Sequence, residues 1–301
     1  MLDVSIIIVN YGAEELITDC VASIIGMTEG VSYEIIIVDN ASPNNSFRLL
    51  EEKYRDDGRI RCLRLKENVG FGRANNAGFE LSEGRNIFCL NPDTELRNNA
   101  VCVLSKYLDD TPDAGACGGN LFHKDGQMCT SYRMLFPSVA WEFSFMTNYL
   151  FEKMRYGKNR KFNTGSRIID VATITGADLM IRRSVIEDIG FFDPHFFMYY
   201  EDTDLCYRIR KKKFQIKNIP QAQIYHYEGT STKNLDKKAK FNFEGRELFY
   251  HKHYSRAYRL MADIVYGWAI VFRILALTHK KESNKVYWTT LLRLLRGKYF
   301  S

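Results

Sequence analysis

The first 120 residues alternate between two kinds of hydrophobic spacing. Val4-Ser5-Ile6-Ile7-Ile8-Val9 is a nearly unbroken β-branched run of strand length, and residues 34–39, 60–65 and 87–90 repeat it. Between these runs the apolar residues fall at helical spacing. Leu16, Cys20 and Ile24 mark a helix over 14–25. A second helix opens at Ser42-Pro43, with the proline inside its first turn, and others cover 72–81 and 98–108. Continuous apolar strands alternating with helices predict an α/β fold with a mostly parallel sheet covered on both faces. In such sheets ligands settle beyond the carboxyl ends of the strands. Three strand ends are therefore of interest: Asn10, Asp39 and Asn91-Pro92-Asp93.

Beyond residue 120 the pattern loosens. Asp125-Gly126 predicts a hairpin turn within 122–127. Residues 141–154 are aromatic with helical character. Residues 170–174 and 177–181 read as strands around Gly176, 202–213 as a helix, 224–227 as a short strand, and the chain from Phe241 onward as helical. No internal repeat or low-complexity linker interrupts the 301 residues, which suit a catalytic α/β domain over 1–232 and a helical region over 233–301.

Composition adds a core and a charge asymmetry. The chain is 46% hydrophobic and 14% aromatic, enough for a sizeable interior. Its net charge of +6 is concentrated late: residues 231–301 hold 15 basic and 5 acidic groups, leaving the first 230 mildly acidic. A basic, aromatic tail suits an anionic surface, either membrane phospholipid or nucleic acid. It carries no nucleic-acid motif. Residues 260–277 form an apolar stretch of spanning length, but Asp263 and Arg273 interrupt it, and a central charge costs a few kcal/mol. The pattern favours a helix on the bilayer surface, with Lys280, Lys281, Arg293, Arg296 and Lys298 near anionic headgroups. The competing reading is a helical pair that packs on the catalytic domain or forms a homodimer. The seven cysteines are odd in number and lack C-x-x-C spacing, which predicts buried, reduced thiols in the cytosol rather than disulfides or zinc. Asp3 and the short run 4–9 do not make a secretory signal.

Five segments carry candidate chemistry. Asp39 ends the second strand, where a carboxylate can accept a hydrogen bond from a nucleobase imide, and Asn10 offers a second polar edge beside it; each is also an ordinary corner residue. Asp93 in Asn91-Pro92-Asp93-Thr94 can ligate Mg²⁺ or Mn²⁺, hard cations that need few protein ligands when phosphates share them. Gly70 and Gly72 precede a helix and would let backbone approach a ligand, although Asn75 stands where a dinucleotide fingerprint needs its third glycine. Glu201, Asp202 and Asp204 crowd the start of a helix, where the dipole favours acids and where one could instead act as a general base. His226 lies between aromatics, a setting more typical of core packing than of metal ligation, yet it precedes the Gly229-Thr230-Ser231 turn.

In order along residues 3–232, these segments resemble the inverting family-2 glycosyltransferases of the GT-A fold, in particular bacterial rhamnosyltransferase-type members of cell-surface polysaccharide assembly. The resemblance rests on Ser5-Ile6-Ile7-Ile8-Val9-Asn10-Tyr11, Val38-Asp39-Asn40-Ala41-Ser42, Asn68-Val69-Gly70-Phe71-Gly72, Asn75-Asn76-Ala77-Gly78, Leu90-Asn91-Pro92-Asp93-Thr94, Thr175-Gly176-Ala177, Tyr200-Glu201-Asp202-Thr203-Asp204-Leu205 and His226. It implies that Asn10, Asp39, Gly70 and Asn91 lie on the nucleotide side, and that Asp93 is the last acid of the D-x-D metal signature, with Asn91 in place of the first. It implies His226 as a second metal ligand, Asp202 as the catalytic base, and Gly176, Ala177 and Glu201 as lining of the sugar and acceptor pocket. The expected cofactor is Mn²⁺ or Mg²⁺. The expected donor is a dTDP- or UDP-linked sugar, and the acceptor a glycan or lipid-linked hydroxyl at the cytoplasmic face of the plasma membrane. Arg73 stands where the family commonly has a small residue. Two competing readings remain. Nucleotidyl transfer would want a basic glycine-rich loop where Tyr11-Gly12-Ala13-Glu14-Glu15 is acidic, and a non-catalytic nucleotide-sugar-binding module would have no use for a base at Asp202.

Overall fold

A computed structural model describes residues 2–227, 235–276 and 281–296. The Gly229-Thr230-Ser231 turn, Lys280 and Lys298, and the side chains of Lys281 and Arg296, lie outside the described residues.

The predicted alternation builds the first half of a nine-stranded sheet. β1 (Leu2–Asn10), β2 (Tyr33–Asp39), β3 (Ile60–Arg64) and β4 (Gly84–Leu90) run parallel in the order β3-β2-β1-β4. They are joined by α1 (Glu14–Met27), α2 (Ser46–Tyr54) and α3 (Phe71–Leu81). The unbroken apolar strands have a direct cause. Ile6, Ile8, Ile35 and Ile37 share one core with Ile17, Val21 and Ile24 of α1, while Ile7, Ile36 and Val38 share another with Ala74 of α3. Both faces are dry, so alternation with polar residues is lost. Register places Asn10 opposite Asp39 and Ile8 opposite Leu90, so the ends of β1, β2 and β4 form one edge. The second helix begins at Ser46 and not at Ser42-Pro43, because Ser42 donates its amide and hydroxyl to Asp39 and Ala41 turns left-handed at φ 57°.

β5 (Thr94–Leu96), α4 (Ala100–Asp110) and β6 (Ala114–Phe122) follow. Then come β7 (Tyr132–Arg133), α5 (Val139–Met146), α6 (Leu150–Tyr156), β8 (Ile169–Asp170), β9 (Thr173–Ile174) and β10 (Asp178–Arg182). α7 (Arg183–Ile189), α8 (Glu201–Lys211) and β11 (Gln215–His226) complete the sheet, which continues β4-β10-β6-β11-β5. β10 is antiparallel to both neighbours, and β6 and β11 return to the direction of β1. β6 escapes a sequence reading because Ala114-Gly115-Ala116-Cys117-Gly118-Gly119 lacks β-branched residues. Its glycines answer to packing: a Cβ on Gly119 would sit 2.5 Å from the Ala222 carbonyl oxygen. β11 extends twelve residues rather than the predicted four, with a register shift between Asn218 and Gln223 that hides its period. The strand expected over 170–174 splits, since β8 pairs with β11 and β9 with β7. The Asp125-Gly126 turn forms, with the His123 amide donating to the Gln127 carbonyl at 2.8 Å. The helix expected over 141–154 breaks at Asn148 and Tyr149, both left-handed. All seven cysteines are free and six are buried.

The C-terminal helices are α9 (Leu235–His253), α10 (Arg256–Ala276) and α11 (Lys281–Arg296). α10 packs along α5 and α11, burying Ala262, Ala269, Ile270 and Ile274. Leu260, Ile264, Trp268, Phe272 and Leu275 recur at helical spacing on an exposed stripe. No described helix is long and apolar enough to cross a membrane. Arg246 of α9 joins these helices. Its buried guanidinium donates to Glu142 Oε1 of α5 and to Asp263 Oδ1 of α10, each at 2.8 Å, and contacts Glu247. It also sits over the Tyr250 and Tyr266 rings at 4.5 and 4.3 Å.

Removing that cation takes the counter-charge from the buried Glu142 and from Glu247 and Asp263. Arg246→Leu is expected to destabilise the fold by about 3–5 kcal/mol, the usual result of breaking one side of a buried pair. Thermal unfolding checks this, and a midpoint matching the parent would remove Arg246 as the organiser of the helices.

Candidate active site

The edge formed by the ends of β1, β2 and β4 is lined by polar side chains fixed by one another. Asn10 Nδ2 donates to Asp39 Oδ1 at 2.7 Å and to Ser46 Oγ at 2.9 Å, while Asn10 Oδ1 accepts the Ala13 amide at 3.0 Å. Asp39 is fully enclosed. Its Oδ1 also accepts the Ser42 hydroxyl, and its Oδ2 accepts the Ser42 amide at 3.1 Å and faces Arg64 at 3.7 Å. The next residue, Asn40, accepts the Val69 amide at 2.9 Å and donates to the Asn68 side chain at 3.0 Å and the Gly70 carbonyl at 3.3 Å. Gly70 is left-handed at φ 88°, and a Cβ there would run into the Phe197 carbonyl. This glycine therefore has a packing reason that its sequence context does not reveal. Arg73 points elsewhere, donating to the Pro194 carbonyl at 2.6 Å.

The second group gathers where β4 meets β5 and β11. His226 lies opposite Thr94 in the β5–β11 ladder, which brings the imidazole beside Asp93. His226 Nε2 is 3.4 Å from Asp93 Oδ1 and 3.4 Å from Asn91 Nδ2, and the Tyr227 amide donates to the Asp93 carbonyl at 2.9 Å. Asp93 is 6% exposed. Among the described residues no three His, Cys, Asp or Glu side chains converge as a closed metal site. The carboxylate and imidazole present fit a hard cation that takes its remaining ligands from phosphates and water.

The third group approaches from β10 and α8. The Asn91 amide donates to the Ala177 carbonyl at 3.1 Å, so the Thr175-Gly176-Ala177 loop abuts the end of β4. The Gly176 amide donates to Asp202 Oδ2 at 3.0 Å, and Asp202 Oδ1 accepts the Thr203 amide and hydroxyl at 2.5 and 3.1 Å. A Cβ on Gly176 would lie 3.2 Å from the Phe71 ring and 3.8 Å from the Asp202 Cβ. Asn10, Asp39, Asn91, Asp93, His226, Gly176, Ala177 and Asp202 thus gather along one edge, although they come from three strands, two loops and a helix.

The clustered acids have different surroundings. Asp204 is fully buried and meets Arg208 Nε at 2.7 Å, Lys252 Nζ at 3.0 Å and His253 Nε2 at 2.7 Å. Burial pushes its carboxyl up, but those three partners outweigh burial and leave it below the usual range. Glu201 is 6% exposed, and its Oε2 has no hydrogen-bond partner among the described residues. Burial first, and then the neighbouring Asp202 charge, hold its carboxyl well above the usual range. Asp202 is only partly buried and has no cation in ion-pair contact among the described residues. Just before these acids, Tyr199 and Tyr200 are both left-handed, at φ 67° and 70°, a costly conformation for aromatics. Gly245 of α9 makes room for them: a Cβ there would sit 2.7 Å from the Tyr199 carbonyl oxygen. Neither this turn nor Gly245 has a sequence signal.

Residues 5–190 match the family described as Glycosyl transferase family 2, and residues 118–297 match Glycosyl transferase family group 2. The chain is 26% identical to the low-salt glycan biosynthesis hexosyltransferase Agl10 of Haloferax volcanii, over 89% of this chain and 84% of that protein. It is 24% identical to the N-acetylglucosaminyl-diphospho-decaprenol L-rhamnosyltransferase of Mycobacterium tuberculosis, over 78% and 76% respectively. Among solved structures, GalNAc-T7 with UDP, GalNAc and Mn²⁺ shares the fold at a TM-score of 0.58 and 16% identity, covering 83% of this chain and half of that one. S. aureus TarS (residues 1–349) does so at 0.55 and 13%, covering 89% and 71%.

Glu201 generates a pH signature. An unfolded Glu titrates near 4.3, while the folded carboxyl holds its proton to higher pH, so its contribution to stability is full below about 4.3 and fades as pH rises. Glu201→Gln mimics the neutral form. The variant is expected to gain on the parent in thermal midpoint steadily from pH 5 to 8. A constant difference between the two across that range would show that Glu201 is already ionised in the folded protein.

Proposed function

This chain belongs to glycosyl transferase family 2, and from that premise we propose that it transfers a sugar from a nucleotide-diphosphate donor to a hydroxyl of a glycan or lipid-linked acceptor, with inversion. The observation that carries the proposal is the state of Asp202. It is a carboxylate on the same edge as Asp93, aimed by the Gly176 amide and Thr203, with no cation in contact among the described residues. A binding module has no need of such a group, and Asp204, two residues on, shows what a structural acid in this segment looks like.

In this reading Asp39 and Asn10 receive the nucleobase, with Arg64 moving aside so that the enclosed Asp39 Oδ2 it faces can accept the imide N–H. Asp93 and His226 would hold Mn²⁺ or Mg²⁺, which supplies charge neutralisation for the leaving diphosphate. The Gly176-Ala177 loop and Glu201 border the sugar. Because Glu201 stays protonated, it adds no second negative charge to repel the diphosphate. Asp202 takes the proton of the acceptor hydroxyl as that oxygen attacks the anomeric carbon from the face opposite the diphosphate, which inverts the centre. The relatives in glycan synthesis make dTDP-rhamnose the first donor to test and UDP-hexoses the next. The exposed apolar stripe of α10 supports seating on the cytoplasmic face of the plasma membrane.

Asp202→Asn is expected to keep donor affinity while losing about 10²–10⁴-fold in transfer, the usual worth of a positioned base. Asp93→Ala should instead weaken donor binding measured by calorimetry in Mn²⁺. Near-parental turnover by the Asn variant would take the base role from Asp202. For the membrane contact, Trp268→Ser with Phe272→Ser should reduce cosedimentation with phosphatidylglycerol vesicles. Unchanged sedimentation would place the stripe elsewhere.

A further inference from the structure

Next to the Gly176 loop lies a pocket of about 200 Å³ that the reaction as described does not use. It is lined by Arg133 of β7, Trp141 of α5, Tyr149, and Arg160 and Lys161 beyond α6, among others. Its position is set by two links. β7 pairs with β9, with Arg133 opposite Thr173, and the Thr175 amide donates to the Ser131 carbonyl at 3.3 Å, so the pocket wall is continuous with the loop that holds Asp202. Thr130, also in the lining, follows Cys129, whose Sγ is 3.9 Å from His226 Nδ1. The segment 129–133 that forms one pocket wall therefore also touches His226 through Cys129 and the Asp202 loop through Ser131.

Its chemistry is cationic. Arg133 sits over the Trp141 ring at 4.8 Å and Arg160 over the Tyr149 ring at 4.6 Å. Among the described residues, none of Arg133, Arg160 and Lys161 is in ion-pair contact with a carboxylate. The one acid in the lining, Glu152, accepts the Ser144 hydroxyl at 2.8 Å. Three cations and one acid leave a pocket with unmatched positive charge, and the aromatic faces hold the guanidinium groups without neutralising them. Pockets that enclose whole organic ligands run to roughly 300–1,000 Å³, so this volume suits a compact anionic group. The far wall belongs to the helices that carry exposed apolar side chains: Phe143, Leu150, Phe151 and Met154 on α5 and α6, with Arg273 of α10 over the Phe145 ring at 3.9 Å.

We propose that this pocket binds a phosphate or diphosphate group of the acceptor, held by Arg133, Arg160 and Lys161, and that the acceptor hydroxyl is thereby placed at Asp202. The inference rests on the transferase reading and names the acceptor class of the same site: a phosphorylated acceptor rather than a neutral glycan. The anion could belong to a lipid diphosphate or to a soluble phosphorylated sugar, and the apolar helices beside the pocket are the feature that separates the two sources.

Inorganic pyrophosphate tests the subsite directly, by calorimetry in EDTA so that no metal bridges it to Asp93. The expected result is binding that weakens roughly ten-fold or more in Arg133→Met and in Arg160→Met. Arg160→Lys should retain part of it, and Asp93→Ala should leave it unchanged. Circular dichroism of each variant guards against misfolding. Affinity unchanged in both Met variants, or lost equally in Asp93→Ala, overturns the proposal. Farnesyl diphosphate against farnesol and pyrophosphate identifies the source. Tighter binding of the farnesyl diphosphate supports a lipid acceptor, and equal binding of the two diphosphates supports a soluble one. Donor affinity in Mn²⁺, measured on the same parent protein, reports on the transferase reading independently.

Discussion

The hydrogen bond from the Gly176 amide to Asp202 ties the sheet edge to the helix that brings the acids. Its formation depends on several constraints at once. β10 must run antiparallel to β4 so that the loop before it returns to Asn91. Residue 176 has little room for a side chain, since a Cβ there would come within 3.2 Å of the Phe71 ring. α8 must begin from two left-handed tyrosines, which cost on the order of 1–3 kcal/mol each in isolation and persist only where packing enforces them. Gly245 of α9 lets that turn close. Sheet, loop and C-terminal helix thus converge on one carboxylate.

Electrostatics then sort three neighbouring acids that chemistry alone would treat alike. Asp204 is surrounded by Arg208, Lys252 and His253 and serves to lock α8 to α9. Glu201 is enclosed without a counter-charge and keeps its proton. Asp202 accepts only amide and hydroxyl donors among the described residues and is left partly exposed at the edge. Neutralising one neighbour and pairing the other limits the negative charge that this segment brings to the site proposed for a diphosphate.

The C-terminal helices belong to the same design. Arg246 gathers carboxylates from α5, α9 and α10 into one buried cluster, and this cluster fixes α5 beside the cationic pocket. α10 buries one face against α5 and leaves another apolar face exposed. On the proposed reading, nucleobase, diphosphate, base and acceptor anion follow one another along a single edge, from β2 to the helices that would face a membrane.

Much of this was legible in the chain. The β-branched runs around Ile6–Ile8 and Ile35–Val38 determine a two-sided parallel sheet, because only strands dry on both faces lose their polar alternation. Strand ends at Asn10, Asp39 and Asn91 follow from those runs, and with them the edge where the polar groups gather. β6 was not legible, since its glycines answer to contacts far along the chain: Gly115 with Phe214, Gly118 with Ile174 and Gly119 with Ala222. Nor was the division of labour among Glu201, Asp202 and Asp204, for charge state depends on which partners the fold delivers: Lys252 and His253 lie about fifty residues downstream. Local spacing determines which faces must be buried, because burial periodicity is a property of neighbours in the chain. Distant partners determine which carboxylate remains available, and only tertiary structure brings them together.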